Sequence, residues 1–292
     1  ARLHLLRKRP FALKVRMDTP TNFLIQLNYA SLDLLNDKSF STQVFGWLSL
    51  AERKRYKRFV SKQQANQFLL ARALLRSQLS KRVSGVLPHE WVFVIDDSGK
   101  PRLADGFSHF NFHFNLSHSE DLVVLALGEG LSEELGERLN LGVDVECIHR
   151  PVFSMALAKR YFAKTELADL MRLNEKEQVK RIAQLWTLKE SYLKASGIGI
   201  RMPMAKLAFY FDGECGLGLS VLPSWVQSLP AEESSFISLF GLGSDYSLAL
   251  TIDTDKKVDT SAVTINEWAG LNSQLSGLPC ELLRKTASKN LS

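Results

Sequence analysis

No apolar run in the 292 residues approaches the roughly 20 positions a membrane-crossing helix needs, so no such helix is expected. Cysteine is sparse and odd in number: Cys147, Cys215 and Cys280 show neither a disulfide framework nor zinc-site spacing. Cys147 is read as a small buried hydrophobe. The first 20 residues, ARLHLLRKRPFALKVRMDTP, are basic and mildly apolar but hold no long hydrophobic region with a small-residue cleavage site. A cytoplasmic protein is the expectation. An excess of acid is missing too. Lys and Arg outnumber Asp and Glu by 37 to 31, a net charge of +6, which favours an acidic partner. Nucleic acid, a polyphosphate cofactor and an acidic protein all meet that description. With 45% hydrophobic residues, the chain can bury one large core or two medium ones.

Residues 21–30 (TNFLIQLNYA) alternate as a strand. Residues 50–83 read as a helical stretch, first basic (ERKRYKRF) and then amphipathic (FLLARALLRSQL), with Arg72 and Arg76 on one side. WVFVID, a DSGKP turn and the strand pair around FHFNLSH and DLVVLAL follow. Beyond the polar link GEGLSEELGERLN the pattern restarts. LGVDVE is a strand, 151–173 is helical, and 175–196 forms a long helix closed by Gly197. KLAFYFD, SFISLFGLG and YSLALTID supply further strands. FNLSHSEDLVVLAL in the first half parallels FGLGSDYSLALTI in the second, which predicts an α+β fold of two similar subdomains, each a small sheet with a long helix. Their expected limits are 1–138 and 139–257. Residues 258–292 remain as a C-terminal extension, an appendage with one short helix at INEWAGLN.

Three segments carry candidate chemistry. In LGVDVE, strand alternation turns Asp144 and Glu146 to one face and Val143 and Val145 to the other. Two adjacent carboxylates repel unless a cation compensates, and hard oxygen ligands of this kind suit magnesium. A solvated edge strand explains them equally well. In WTLKESYLKASG, Trp186, Glu190 and Lys194 stand at i, i+4 and i+8 with Lys189 beside them; a third oxygen ligand or general base at Glu190 and a phosphate contact at Lys194 compete with a plain surface ion pair. In FNLSHSE, His118 is a candidate phosphate ligand, a general acid or base, or a turn residue. Ser117 is set aside as a nucleophile, because neighbours on a strand face opposite ways and no elbow motif surrounds it. Lys100 lies on the DSGKP loop, and the run Arg53, Lys54, Arg55, Lys57, Arg58 is either a solvated helix face or a set of phosphate-binding cations.

The order GKP, NLSH, GVDVE and W-x-x-K-E-x-x-x-K-x-x-G resembles the phosphopantetheinyl transferase superfamily, in particular its two-lobed surfactin-synthetase-activating type, over about residues 45–255. The resemblance implies an active site between two α+β halves. It implies magnesium held by Asp144, Glu146 and Glu190 beside the pyrophosphate of coenzyme A, with Glu190 helping to deprotonate the acceptor serine. Lys194 would contact the phosphates and Lys189 would be its partner in the KE pair. Lys100, Ser117 and His118 would line the coenzyme pocket, His118 near the 3′-phosphate, and Arg55 would face that same phosphate. Trp186 would pack to position the helix, and Glu166 matches a further acid of unassigned role. The implied reaction moves 4′-phosphopantetheine from coenzyme A to a serine of an apo carrier protein and releases 3′,5′-ADP. The implied enzyme is a monomer that engages an acidic carrier, binding neither nucleic acid nor membrane. Met155, Tyr161 and Phe162, just after the metal strand, are a candidate docking surface for that carrier.

Three rivals differ in what they leave unexplained. A basic nucleic-acid-binding protein accounts for the charge but leaves Asp144, Glu146 and Glu190 idle, and no such module pattern is visible. A metal-dependent hydrolase of nucleotide pyrophosphates lacks a hydrolase signature. An inactive family member would not need all three acids and the lysine.

Overall fold

The architecture follows from a computed structural model that describes residues 24–96, 99–129, 139–198, 202–213, 216–221, 235–254, 263–270 and 280–286. Two sheets pack face to face, and one long helix covers the outer face of each. The first sheet has the order β11-β1-β5-β4, built from β1 (Leu24–Ser31), β4 (His113–Ser119), β5 (Leu122–Glu129) and β11 (Val263–Glu267). The second has the order β6-β10-β9-β12-β8-β7, with β6 (Leu139–Cys147), β7 (Leu207–Asp212), β8 (Gly216–Val221), β9 (Ser235–Leu242), β10 (Tyr246–Thr254) and β12 (Cys280–Thr286). A small hairpin, β2 (Phe93–Ile95) with β3 (Pro101–Leu103), stands apart.

Period-two alternation divides the core. Leu122, Val124 and Ala126 of β5 meet Val143 and Val145 of β6 and Leu248, Leu250 and Ile252 of β10 between the sheets. The intervening Val123, Leu125 and Leu127 face α3 (Lys62–Arg82), the long helix of the first half. On the second sheet Ile237, Leu239 and Ala249 face α6 (Glu175–Ser196), the long helix of the second half. Each half thus has its own helix-covered core, and the sheets share a third. The α+β class and the paired halves stand as expected, and the similar segments are the hairpins β4–β5 and β9–β10.

Several boundaries differ from the sequence reading. The stretch 50–83 is two helices, α2 (Leu50–Tyr56) and α3, following α1 (Lys38–Gly46). Ser49 and Glu52 close a capping box on α2, and Ser61 caps α3 anew through the Gln64 N–H, so two N-terminal signals override one run of helix formers. Likewise 151–173 holds α4 (Met155–Tyr161) and α5 (Lys164–Leu170), separated where Phe162 turns extended and buries its ring. Helix α6 ends as expected, with Gly197 left-handed at φ 71°.

The C-terminal segment is no appendage. The described part of INEWAGLN, residues 265–270, is not a helix: β11 lies parallel to β1, Trp268 is buried, and its backbone N–H bonds the Tyr29 carbonyl. The alternation V-T-I-N-E serves an edge strand, a choice settled by the free edge of β1 rather than by local propensity. β12 then inserts between β9 and β8 of the other sheet, so the described parts of the C-terminal segment, Val263–Glu267 and Cys280–Thr286, join one sheet each.

Candidate active site

The edge strands β4 and β6 meet where the two sheets adjoin, and they do so without a backbone ladder. Alternate N–H groups of β6 bond β10, which leaves those of Val143, Val145 and Cys147 pointing out of the sheet. Side chains of β4 take them up: Asn115 Oδ1 accepts from Val143 (2.9 Å), Ser117 Oγ from Val145 (3.3 Å) and Ser119 Oγ from Cys147 (3.0 Å). These three polar residues share one face of β4 because they are spaced by two, and all are buried.

The same two serines hold the acids. Ser117 Oγ donates to Asp144 Oδ1 and Ser119 Oγ donates to Glu146 Oε2, each at 2.8 Å. Lys194 Nζ comes from α6 to Asp144 Oδ1 at 2.8 Å, and also donates to Ser117 Oγ (3.1 Å) and the Val143 carbonyl (3.0 Å). Arg150 closes the other end, donating to Glu146 Oε2 at 2.6 Å and reaching Glu120 of the first half at 3.4 Å. Helix α6 lies close over β6 because Gly142 has no side chain: a Cβ there would overlap the Ser191 carbonyl oxygen and the Ala195 nitrogen.

The electrostatics of this seam are unbalanced toward the acids. Burial and the neighbouring Asp144 push the Glu190 carboxyl up to about 7, with Glu146 adding to the rise and Lys194 opposing it. Glu146 is raised by burial and by Asp144, against the pull of Ser119 and Arg150. Lys100 is lowered by burial first, with Lys194 adding to that and Asp96 opposing it. His118 is solvent-exposed, yet the surrounding protein and Lys194 hold its imidazole below its usual range. Asp144, Glu146, Glu190, Lys194, Lys100 and His118 therefore act on one electrostatic field.

The oxygen donors fit a hard divalent cation. Asp144 Oδ2 is buried with no hydrogen-bond partner, an orphaned acceptor beside two further carboxylates that resist ionisation. Among the described residues no group of three or more His, Cys, Asp or Glu side chains stands ready to hold a metal ion, so the fit rests on the Asp144–Glu146 pair, with substrate phosphates completing the shell. Lys194 and Arg150 supply the positive charge instead.

Two predicted residues lie elsewhere, Lys189 and Phe162, and a third, Ser117, sits in the seam in another role. Lys189 is fully buried on another side of α6, ion-paired with Glu166 at 2.8 Å and bonded to the Met204 and Leu207 carbonyls. It cannot reach a bound coenzyme, because residue 189 points about 100° away from residue 190 around the helix. Glu166 thereby gains a role: it also accepts the Ala163 and Phe209 N–H groups and locks α5 to α6 and β7. The Ser117 hydroxyl is saturated by Val145, Lys194 and Asp144, so it stands behind the acids rather than lining a coenzyme pocket. Phe162 belongs to the core under α6, which removes it from any docking surface; Met155 and Tyr161 pack half-buried against the same core. Trp186 packs edge-on against Tyr161. Arg55 is exposed, its guanidinium over the Phe68 ring at 5.2 Å. Cys147 is a half-buried free thiol. Ser119, Asn115 and Arg150 were missed; the alternation N-x-S-x-S was the available signal for the first two, but nothing local names its partner strand.

Comparison with known proteins gives one consistent answer. Residues 140–250 match the family model described as 4'-phosphopantetheinyl transferase superfamily, and residues 37–129 match 4'-phosphopantetheinyl transferase, N-terminal. The chain is 30% identical to the 4'-phosphopantetheinyl transferase Sfp of Bacillus subtilis over 175 residues, 59% of this chain and 71% of that protein. It is 36% identical to the 4'-phosphopantetheinyl transferase HetI of Nostoc over 154 residues, 52% of this chain and 61% of the relative. A solved holo-ACP-synthase from Plasmodium yoelii aligns at TM-score 0.35 and 18% identity, over 41% of this chain and 97% of that one.

Proposed function

The chain belongs to the 4'-phosphopantetheinyl transferase superfamily, and from that premise we propose that it moves 4′-phosphopantetheine from coenzyme A to a serine of an apo carrier protein. The observation that carries the reading is the orphaned Asp144 oxygen in a seam where Glu146, Glu190 and Lys194 converge.

Asp144, Glu146 and Glu190 would hold magnesium. When bound, the metal neutralises charge on the pyrophosphate oxygens. Lys194, its three N–H groups already given to Asp144, Ser117 and the Val143 carbonyl, offsets the same charge as a fixed point charge. His118 and Arg55, both exposed on the first half, and Lys100 supply further donors for the coenzyme's phosphates. Glu190 is the carboxylate we assign to accept a proton from the acceptor serine. The serine O–H gives its proton to that carboxylate, its oxygen bonds the β-phosphorus, and the bond to the 3′,5′-ADP oxygen breaks. The net charge of +6 favours an acidic carrier. We take the working unit to be a monomer, a reading compatible with β4 and β6 of one chain forming the seam. No helix among the described residues is long and apolar enough to cross a membrane. The cytoplasm is the compartment we propose for the reaction.

The test is mass spectrometry of an apo carrier protein incubated with this chain, coenzyme A and magnesium. The expected result is a gain of one phosphopantetheine on serine, lost with EDTA. No gain across several carrier classes, from folded protein, would overturn the assignment.

A further inference from the structure

The seam between β4 and β6 does two jobs with the same atoms. A hydroxyl has one hydrogen to give and two lone pairs to receive with. At Ser119 the oxygen takes the Cys147 N–H of the second half, and the hydrogen goes to Glu146 Oε2. At Ser117 the oxygen takes the Val145 N–H, and the hydrogen goes to Asp144 Oδ1. Each serine therefore ties a backbone rung of β6 to the acid one residue before that rung. If the two halves slid by one residue, the N–H and the carboxylate would be lost together. Asn115 forms the third rung through its amide oxygen on the Val143 N–H and touches neither acid.

We propose that Ser119, together with Ser117, is a positioning residue that converts the register between the two halves into the aim of the metal-binding acids. The inference rests on the magnesium reading given above and extends it to residues that do not touch the ion. Ser119 is the cleaner member, because Ser117 also receives Lys194. Without its serine, Glu146 would keep only Arg150 on Oε2, and that ion pair pulls the carboxylate toward Glu120, along the surface of the first half. Supporting partners of this kind typically change metal affinity 10- to 100-fold.

The experiment measures manganese binding to the full chain without coenzyme, by the loss of the free-ion paramagnetic resonance signal; manganese suits the same oxygen donors. Ser119→Ala is expected to weaken binding about tenfold, whereas Asn115→Ala, which removes a rung but no acid contact, stays within about twofold. In a Glu146→Ala background, Ser119→Ala should add nothing, because the acid it aims is gone. If wild type binds no manganese, the metal reading falls and the inference with it. If wild type binds and Ser119→Ala binds equally well, the metal reading stands and the positioning role is overturned. Equal weakening by Asn115→Ala, or full additivity with Glu146→Ala, also overturns it, by showing a general loosening of the seam. Should Ser119→Ala fail to fold, Ser119→Cys replaces it, since a thiol donates poorly to a carboxylate.

Discussion

The two long helices do the same structural work, and only α6 brings an acid and a lysine toward β6. Helix α3 and helix α6 each cover the outer face of a sheet, and each buries a cationic residue through an ion pair with a neighbouring short helix. In the first half, Glu52 of α2 pairs with Arg72 and Arg76 at 3.2 and 2.5 Å. In the second, Glu166 of α5 pairs with Lys189. The halves part on their other faces. Residues 62–82 contain no Asp or Glu at all, whereas α6 carries Glu190 and Lys194 onto β6. The approach depends on Gly142, where β6 lacks the side chain that would hold the helix away. Two similar frames thus differ by the residues on one helix face and by one glycine opposite, and that difference makes one of them the candidate site.

The comparison can be broken at several depths. The deepest cut is Asp144→Asn, which removes the charge that pairs with Lys194 and that the proposed metal would use; transfer to a carrier should fall by about a thousandfold, near 4 kcal/mol of barrier. Steady-state rates at saturating magnesium decide it, and a loss below tenfold would mean that Asp144 only packs. Next come the ion pairs that the halves share. Lys189→Met should cost about 3 kcal/mol or more in urea unfolding by leaving Glu166 buried and unpaired, and Glu52→Gln should cost a similar amount in the first half. Adding Glu166→Gln to Lys189→Met should recover part of that loss, while manganese affinity stays unchanged throughout. A large drop in affinity for Lys189→Met would return Lys189 to the coenzyme site. Gly142→Ala comes third. Its methyl meets backbone, which cannot swing aside, so about 2–3 kcal/mol of stability should go and α6 should lift, carrying Glu190 and Lys194 off β6. Unaltered stability would show that the close approach is not what seats the helix.

The site was legible in the sequence to the extent that its logic is local. Alternation along GVDVE is a property of one strand, and Asp144 and Glu146 do share the face opposite Val143 and Val145. Gly197 ends α6 for reasons contained in two turns. Lys189 went astray because helical proximity to Glu190 says nothing about which neighbour packs on which face; the deciding partner, Glu166, is 23 positions earlier on another helix. Ser119 and Asn115 were invisible for a related reason. Their function is a contact between two edge strands about 28 residues apart, and no pattern inside either strand encodes that meeting. The tail shows the limit most plainly, since Val263–Glu267 becomes a strand only because β1 offers it an edge.

The smallest effect tests the acid that α3 lacks. Glu190 holds its proton up to about 7 in the folded protein, against an ordinary value of 4.5. The folded state therefore binds a proton that the unfolded chain has released between those two values, so metal-free stability must fall as pH rises from 4.5 to 7 and level off above. Glu190→Gln removes the titration. Relative to wild type, the metal-free variant should gain about 2 kcal/mol on going from pH 5 to pH 8, a discounted figure because the side chain is partly exposed. Thermal unfolding of both proteins at the two pH values reads it directly. Magnesium should then reverse the order at pH 8, raising the wild-type midpoint and leaving the variant nearly where it was. A variant that tracks wild type at both pH values would mean that Glu190 is solvated and uncoupled from Asp144. In that case α6 would differ from α3 only in composition, and the general base would have to be sought elsewhere in the seam.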